Sequence, residues 1–292
     1  MDAPNPSTLP TFANRTPLHI GAVALNVREL DRVAGYYRDL LGLSELARTA
    51  GTVQLGVGNT MLLQLDHRPD AKADDPREAG LYHTAFLMPT RADLARWVKR
   101  IAAARVPVTG ASDHGVSEAI YLDDPEGNGV EVYADRPPET WNWQDGLVAM
   151  PTERLDVADL VGAADRRPDY SEAPTGLRIG HIHLRVGDLD AAERFYQGDI
   201  GLAPTRRRGG AVFMSSARYH HHVAANVWHS QGAGRRDESR AGLAWFSIEA
   251  NDGATLDTLA ARLRAAGAPL MAASAGLETS DPWGTRIRLV VA

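Results

Sequence analysis

The chain contains an internal repeat, which constrains its fold more than any other feature. The segment Gly21-Ala22-Val23-Ala24-Leu25-Asn26-Val27 is similar to Gly180-His181-Ile182-His183-Leu184-Arg185-Val186. A second pair of similar segments begins at Gly80-Leu81-Tyr82-His83 and Gly242-Leu243-Ala244-Trp245, and closes with Asp124-Pro125-Glu126-Gly127 and Asp281-Pro282-Trp283-Gly284. The chain therefore consists of four modules of roughly fifty residues, arranged as two halves.

Each module has the same order of predicted elements. An alternating apolar strand leads into an amphipathic helix, and short strands separated by turn residues follow. Gly42 is predicted to end the first helix, and Thr90 to cap the second. The unit is βαβββ, which makes the chain an α+β protein. The first half spans residues 17–135 and the second 177–292, with a proline-rich linker over 136–176 that contains a short helix near Leu155 to Leu160.

Composition excludes several classes of function. The chain has 292 residues, 31 basic and 37 acidic, with a formal net charge of -6 and no cysteine. Without a basic stripe there is no case for a nucleic-acid partner, and no apolar stretch reaches the roughly 18 residues of a membrane span. The absence of cysteine and of an export leader over Met1 to Asn14 favours a cytoplasmic protein. Association into a homo-oligomer is left open.

Aligned modules differ in where they carry ligand-type side chains. The aligned pairs are His181 and Ala22, His83 and Trp245, and Glu131 and Arg288. On the later predicted strands, the tract His220-His221-His222 falls opposite Met61-Leu62-Leu63. The polar member of each pair lies in one of the two central modules. A single strand histidine is more often structural than a ligand, but His83 and His181 hold the same place in their modules.

Two imidazoles and one carboxylate make the facial triad suited to Fe(II), with open positions for substrate and dioxygen. His83, Glu131 and His181 are the candidates. His183 competes with His181 because residues two apart on a strand share a face. The repeat favours His181, which leaves His183 beside the site. One site with ligands from modules 2 and 3 requires those modules to pack together, with modules 1 and 4 as a metal-free partner barrel.

Three further sequence segments resemble those of a known family. They are Tyr219-His220-His221-His222, Asp113-His114-Gly115-Val116-Ser117-Glu118-Ala119-Ile120-Tyr121 and Asp124-Pro125-Glu126-Gly127-Asn128-Gly129-Val130-Glu131. The chain resembles the vicinal oxygen chelate superfamily and, within it, the two-domain catechol 2,3-dioxygenases of the bacterial CatE type. The resemblance implies two vicinal oxygen chelate domains with cupped, barrel-like mixed sheets. It also implies Fe(II), occasionally Mn(II), held by His83, Glu131 and His181.

The resemblance further implies an enzyme that acts on a small aromatic diol and dioxygen and yields a hydroxymuconic semialdehyde. His221 matches an acid–base histidine, Tyr121 a tyrosine that hydrogen-bonds the catecholate, and His114 a polar residue of the pocket. His183, His220 and His222 would lie in the pocket wall or just behind it. The family commonly has glycines around the histidine tract, where this chain has Ser216-Ala217-Arg218 and Ala224-Ala225-Asn226, so its substrate range is expected to differ.

Two other functions are compatible with the same scaffold. A glyoxalase-like isomerase or lyase with Zn(II) or Ni(II) would need a fourth protein ligand, typically a second carboxylate, and module 3 offers none at an equivalent strand position. A non-catalytic protein that binds an aromatic ligand would not need three ligand-type residues. The sequence therefore favours ring cleavage.

Overall fold

The computed structural model describes residues 11–273 and 275–292. The prediction that Met1 to Asn14 contains no export leader therefore concerns ten residues that lie outside the described part. All four modules have the predicted βαβββ order. Module 1 comprises β1 (Leu18–Val27), α1 (Leu30–Leu41), β2 (Ser44–Arg48), β3 (Thr52–Val57) and β4 (Thr60–His67). Module 2 comprises β5 (Gly80–Leu87), α2 (Arg91–Ala103), β6 (Gly110–Asp113), β7 (Ser117–Asp123) and β8 (Gly129–Asp135).

The linker and the second half follow in chain order. The linker contains β9 (Trp143–Gln144), β10 (Leu147–Val148), β11 (Glu153–Arg154) and α3 (Val157–Gly162). Module 3 comprises β12 (Arg178–Arg185), α4 (Leu189–Glu193) with a π-helical continuation (Arg194–Ile200), β13 (Ala203–Arg208), β14 (Ala211–Ser215) and β15 (Val223–Asn226). Module 4 comprises β16 (Gly242–Ala250), α5 (Gly253–Ala265), β17 (Met271–Ala273), β18 (Gly276–Ser280) and β19 (Arg286–Val291).

Local sequence signals explain where the first two helices begin and end. The Thr90 side chain accepts a hydrogen bond from the Asp93 N–H and caps α2. Gly42 ends α1 with a φ of 68°, and a Cβ there would collide with the backbone of Glu172 and Ala173. Only glycine fits such a left-handed position in close contact with another segment. Both predicted signals are confirmed.

Apart from the two-stranded sheet β10-β9 of the linker, the described strands form two large curled sheets, and each of these combines one module from each half. The nine-stranded sheet has the order β11-β6-β7-β8-β5-β12-β15-β14-β13, which joins modules 2 and 3. The eight-stranded sheet has the order β17-β18-β19-β16-β1-β4-β3-β2, which joins modules 1 and 4. The antiparallel pairs β5–β12 and β1–β16 form the two junctions. The predicted pairing of modules is therefore observed within one chain, whereas the domain limits 17–135, 136–176 and 177–292 stay a prediction.

The helices cover one face of each sheet, and the other face is left for the site. Along β12, Ile182 and Leu184 belong to the main apolar core, whereas the alternate residues His181 and His183 face away from it. The linker packs on this second face through Trp141, whose ring centre lies 5.8 Å from that of Tyr219. No helix among the described residues is long and apolar enough to cross a membrane.

Candidate metal centre and its cavity

Three neighbouring strands present the predicted metal ligands on one face. Glu131 of β8, Ala85 of β5 and His181 of β12 lie in one row across the sheet. His83 shares the face of Ala85, because it lies two residues earlier on β5. The small Ala85 side chain leaves space between the carboxylate and the imidazole. Gly129 stands opposite His83, where a Cβ would lie 2.1 Å from the Tyr82 carbonyl oxygen.

The three side chains converge. His83 Nε2 lies 3.0 Å and His181 Nε2 lies 3.2 Å from Glu131 Oε2. One donor atom from each of the three residues lies within 4.8 Å of the others, and all three residues are buried. A single ion placed among these atoms would contact all three, since metal–nitrogen and metal–oxygen bonds are about 2 Å long.

The donor chemistry of the cluster fits a metal ion. His83 Nε2 is buried and, within the described residues, makes no hydrogen bond of acceptable geometry despite its short distance to Glu131. Burial lowers the pKa of His181 to about 4, so its ring is neutral near pH 7. Burial by itself would raise the pKa of Glu131, but the two imidazoles outweigh it and hold this pKa well below its usual range. Neutral imidazoles and an ionised carboxylate are the forms that bind metal.

His183 lies beside the cluster and is held by a different partner. Its ring stands perpendicular to that of His83, with ring centres 4.9 Å apart. The Asn226 amide donates to His183 Nε2 at 3.0 Å, which orients the ring. His183 lines the cavity without joining the three converging donors, as the repeat alignment predicts.

A chain of hydrogen bonds reaches His221 from behind the cavity wall. His220 Nε2 lies 2.9 Å from Asp135 Oδ1, and His220 Nδ1 lies 2.7 Å from His221 Nδ1. The Asp135 carboxylate can only accept, so it accepts a hydrogen bond from the Nε2–H of His220. His220 Nδ1 is then unprotonated and accepts a hydrogen bond from the Nδ1–H of His221. His221 Nε2 then carries a lone pair. The ring of His221 lines the cavity, with its centre 4.0 Å from that of His181.

The histidine tract differs from its predicted secondary structure. The sequence predicts a strand, but residues 216–222 form a loop between β14 and β15, with Ala217 and Arg218 at φ of 50° and 62°. These left-handed residues turn the chain, so strict alternation of side chains does not apply. His222 contacts Thr16 Oγ1 and Ser215 Oγ, away from the cavity lining.

The repeat alignment of this tract is also off by one residue. Leu63 pairs with Val23 in module 1, and Val223 pairs with Ile182 in module 3. Because Val23 and Ile182 are equivalent, Leu63 corresponds to Val223, and Met61 corresponds to His221. The error arises because the loop of module 3 has no counterpart of equal length in module 1.

Tyr121 and His114 lie together on the opposite wall, next to the linker. The carbonyl oxygen of Pro151 lies 2.8 Å from His114 Nδ1, and the Tyr121 hydroxyl lies 2.7 Å from His114 Nε2. His114 therefore donates to the linker and accepts from Tyr121. Burial and the neighbouring Glu131 raise the pKa of Tyr121 well above its usual value, which keeps the hydroxyl protonated.

The cluster lies in a cavity of about 690 Å³. Several residues of its lining are exposed to solvent and mark its mouth, and four of them were missed by sequence reasoning. These residues are Tyr82, Thr152, Arg208 and Trp228. Tyr82 precedes His83 on β5, and simple alternation would place it on the opposite face. The register passes from the pair His183–His83 to Leu184–Leu81, so Tyr82 is the extra residue of a β-bulge. A single sequence gives no signal for that bulge.

The eight-stranded sheet carries an apolar version of the same face. Ala22, Ala24 and Trp245 form a small cluster there, with Met61 packed against it. Arg288 occupies the place of Glu131, and its guanidinium carbon lies 3.8 Å from the centre of the Trp245 ring. Within the described ranges, the cluster of modules 2 and 3 is the only place where three or more His, Cys, Asp or Glu side chains converge in a way that could hold a metal ion.

The paired βαβββ modules and their matching sequences define the family. The chain belongs to the Glyoxalase/Bleomycin resistance protein/Dioxygenase superfamily, whose family model matches residues 19–132 and 178–288.

One relative is similar to this chain over nearly the whole length of both proteins. The chain is 35% identical over 270 residues to a catechol-2,3-dioxygenase from Bacillus subtilis (strain 168), which covers 90% of this chain and 94% of that protein. Among solved structures, a candidate dioxygenase from Bacillus subtilis subsp. subtilis str. 168 matches with a TM-score of 0.61 and 14% identity, over 94% of this chain and 85% of that one. Glyoxalase I from Zea mays matches with a TM-score of 0.57 and 16% identity, over 96% of this chain and 94% of that one. Both structural matches show the fold alone.

Proposed function

We propose that the protein is an Fe(II)-dependent extradiol dioxygenase that cleaves the ring of a catechol-type aromatic to a hydroxymuconic semialdehyde-type product. The observation that carries the proposal is the convergence of His83, Glu131 and His181 at the wall of an open cavity. Two imidazoles and one carboxylate leave room for further ligands and suit Fe(II), and Mn(II) is the alternative with the same donor set. The identity to a catechol-2,3-dioxygenase over 90% of the chain supports this choice of reaction.

The three ligands would hold the ion with little rearrangement, because their donor atoms already converge. When bound, Fe(II) supplies a cation that favours ionisation of a diol hydroxyl and a redox centre for reaction with dioxygen. The fold alone is shared with glyoxalase I. The described residues contain no fourth carboxylate or imidazole in the converging group, which is the feature that an isomerase with Zn(II) or Ni(II) would add.

We assign the transfer of the substrate proton to His221. Burial lowers its pKa well below the usual value, so the ring is neutral near pH 7. Because His220 occupies Nδ1, the lone pair on His221 Nε2 is the one available to a hydroxyl in the cavity. A neutral imidazole can take a proton from the diol and return it later to the opened product. Asp135 and His220 fix the tautomer that this role requires.

We assign the orientation of the diol to Tyr121. Its hydroxyl donates to His114 Nε2, which leaves an oxygen lone pair to accept a hydrogen bond from a substrate hydroxyl. His114 is held in turn by the Pro151 carbonyl, so the linker fixes this pair. A preoriented acceptor costs little entropy when the substrate binds.

The test is ring cleavage by protein loaded with Fe(II) in the absence of oxygen and then mixed with aerated catechol. The proposal predicts a yellow semialdehyde and uptake of one dioxygen per diol. A His181→Ala variant should give neither. Metal-loaded protein that cleaves no member of a catechol and hydroquinone panel, but isomerises a glutathione hemithioacetal, would contradict the proposal.

A further inference from the structure

The cavity is larger than an unsubstituted catechol requires. Its volume of about 690 Å³ falls in the middle of the range for pockets that hold drug-sized ligands, about 300–1,000 Å³. The metal cluster, His221 and Tyr121 would engage only the diol end of a substrate. The rest of the cavity, toward its mouth, is therefore available to a ring substituent.

One cation at this mouth lacks a carboxylate partner. Arg208 ends β13, and within residues 11–273 and 275–292 no carboxylate lies within 4.0 Å of its guanidinium. Its neighbour Arg207 instead pairs with Glu193. The carboxylates that line the cavity are Glu131, which belongs to the metal cluster, and Asp123, which is exposed at the end of β7.

Contacts on two sides hold Arg208 at the cavity. Its Nη1 donates to Thr152 Oγ1 of the linker at 2.7 Å. The hairpin that follows it is tied by Trp228, whose indole N–H donates to the Gly209 carbonyl at 2.8 Å. The Trp228 ring in turn meets Tyr82 edge-on, with ring centres 5.2 Å apart. The mouth therefore combines two aromatic rings with a guanidinium that has N–H groups to spare.

We propose that Arg208 recognises a carboxylate on the substrate, so that the preferred substrates are catechols with an acidic side chain. This inference rests on the proposed function. A guanidinium presents its N–H groups in a planar fork that matches a carboxylate, and such charge-assisted pairs are stronger than neutral hydrogen bonds. The aromatic rings of Tyr82 and Trp228 would pack against the carbon atoms between the diol ring and the acid.

The experiment compares 3,4-dihydroxyphenylacetate with its neutral amide and with catechol, on wild type, Arg208→Gln and Arg207→Gln proteins. Binding to the Fe(II)-loaded protein is measured by calorimetry without oxygen, and turnover is measured in air. For wild type we expect the acid to bind at least about tenfold more tightly than the amide, as for a hydrogen bond to a charged group. Arg208→Gln should remove this preference, so that the acid and the amide bind with equal affinity. Arg207→Gln should behave as wild type, because its side chain pairs with Glu193 outside the cavity lining.

The outcomes separate this inference from the proposed function. Cleavage of catechol with equal affinity for acid and amide would overturn the role of Arg208 and leave ring cleavage in place. If Arg208→Gln lowered the affinity for the acid and for the amide equally, Arg208 would have a structural role, and the inference would also be overturned. Tight binding of the acid through Arg208 without cleavage of any diol would contradict the proposed function and support the carboxylate site.

Discussion

The inner faces of the two curled sheets differ in what their equivalent positions carry. In the sheet of modules 2 and 3, Glu131 and His83 meet at 3.0 Å and form part of a metal-type cluster. In the sheet of modules 1 and 4, Arg288 and Trp245 hold the same two places and stack as a cation over an aromatic ring. The sheet of modules 1 and 4 has the same fold without the polar cluster, so the fold itself does not require the cluster. The cluster is therefore explained by chemistry and not by packing.

The largest effect should follow from exchanging the charged residue of each sheet for glutamine. Glu131→Gln removes the anionic donor, so we expect the bound metal to fall from about one equivalent to near zero, with loss of ring cleavage. Arg288→Gln should leave both unchanged. Metal content is measured by atomic emission after loading without oxygen. Equal metal loss in both variants would show that the two sheets do not differ in function.

The second effect concerns the acid–base residue. His221→Ala should lower kcat by about 100- to 10,000-fold, the usual contribution of a positioned acid–base group, while the metal stays bound. Met61→Ala changes the equivalent position of the other sheet and should leave kcat within about twofold, because only packing is lost. Steady-state kinetics with parallel metal analysis checks both. A His221→Ala enzyme with wild-type kcat would remove this residue from the reaction.

The third effect is a pH dependence of stability that arises from the buried histidines of modules 2 and 3. Burial lowers the pKa of His222 to about 3, against about 6.5 in an unfolded chain. Below pH 6.5 the His222 ring is protonated in the unfolded chain but stays neutral in the folded chain. The contribution of His222 to the free energy of unfolding is therefore fully present above pH 6.5, and it is lost as the pH falls toward 3.

Urea unfolding of the metal-free protein measures this dependence. Between pH 7.5 and 5.5 each such histidine should cost about 1 kcal/mol, since one proton changes the unfolding constant tenfold per pH unit. His222→Gln should lower stability at pH 7.5 but reduce the loss between the two pH values by about that amount. An unchanged pH dependence in this variant would show that folding does not lower the pKa of His222.

The smallest effect concerns the turns that precede β4 and β15. In module 1 the turn places Gly58 at a φ of 58°, whereas in module 3 the left-handed positions hold Ala217 and Arg218. Ala217→Gly should therefore stabilise the protein by about 0.5–1 kcal/mol, and Gly58→Ala should destabilise it by about 1 kcal/mol or more. Thermal unfolding checks both. Destabilisation by Ala217→Gly would show that the alanine methyl group contributes more than the strain costs.

Sequence alone was sufficient for the modules and for the cluster. The repeat predicted βαβββ units and separated His181 from His183, because equivalent positions reveal which side chains the fold does not require. It also implied that modules 2 and 3 pack together, as the β5–β12 pair shows. The site roles inferred from the family resemblance stay predictions.

The rest depends on tertiary contacts that leave no pattern in one sequence. Tyr82 reaches the cavity only because a bulge interrupts β5, and Asp135 acts on His221 only through His220. Thr152 holds Arg208 because the linker returns to cover the cavity. The expected strand for the histidine tract was wrong because two left-handed residues turn the chain there.

The most direct test of the central claim is product formation from catechol by wild type, Glu131→Gln and Arg288→Gln proteins after loading with Fe(II) without oxygen. We expect the yellow ring-cleavage product from wild type and Arg288→Gln, and none from Glu131→Gln. Product from Glu131→Gln, or none from fully metal-loaded wild type across the diol panel, would contradict the assignment of extradiol cleavage to the cluster of modules 2 and 3.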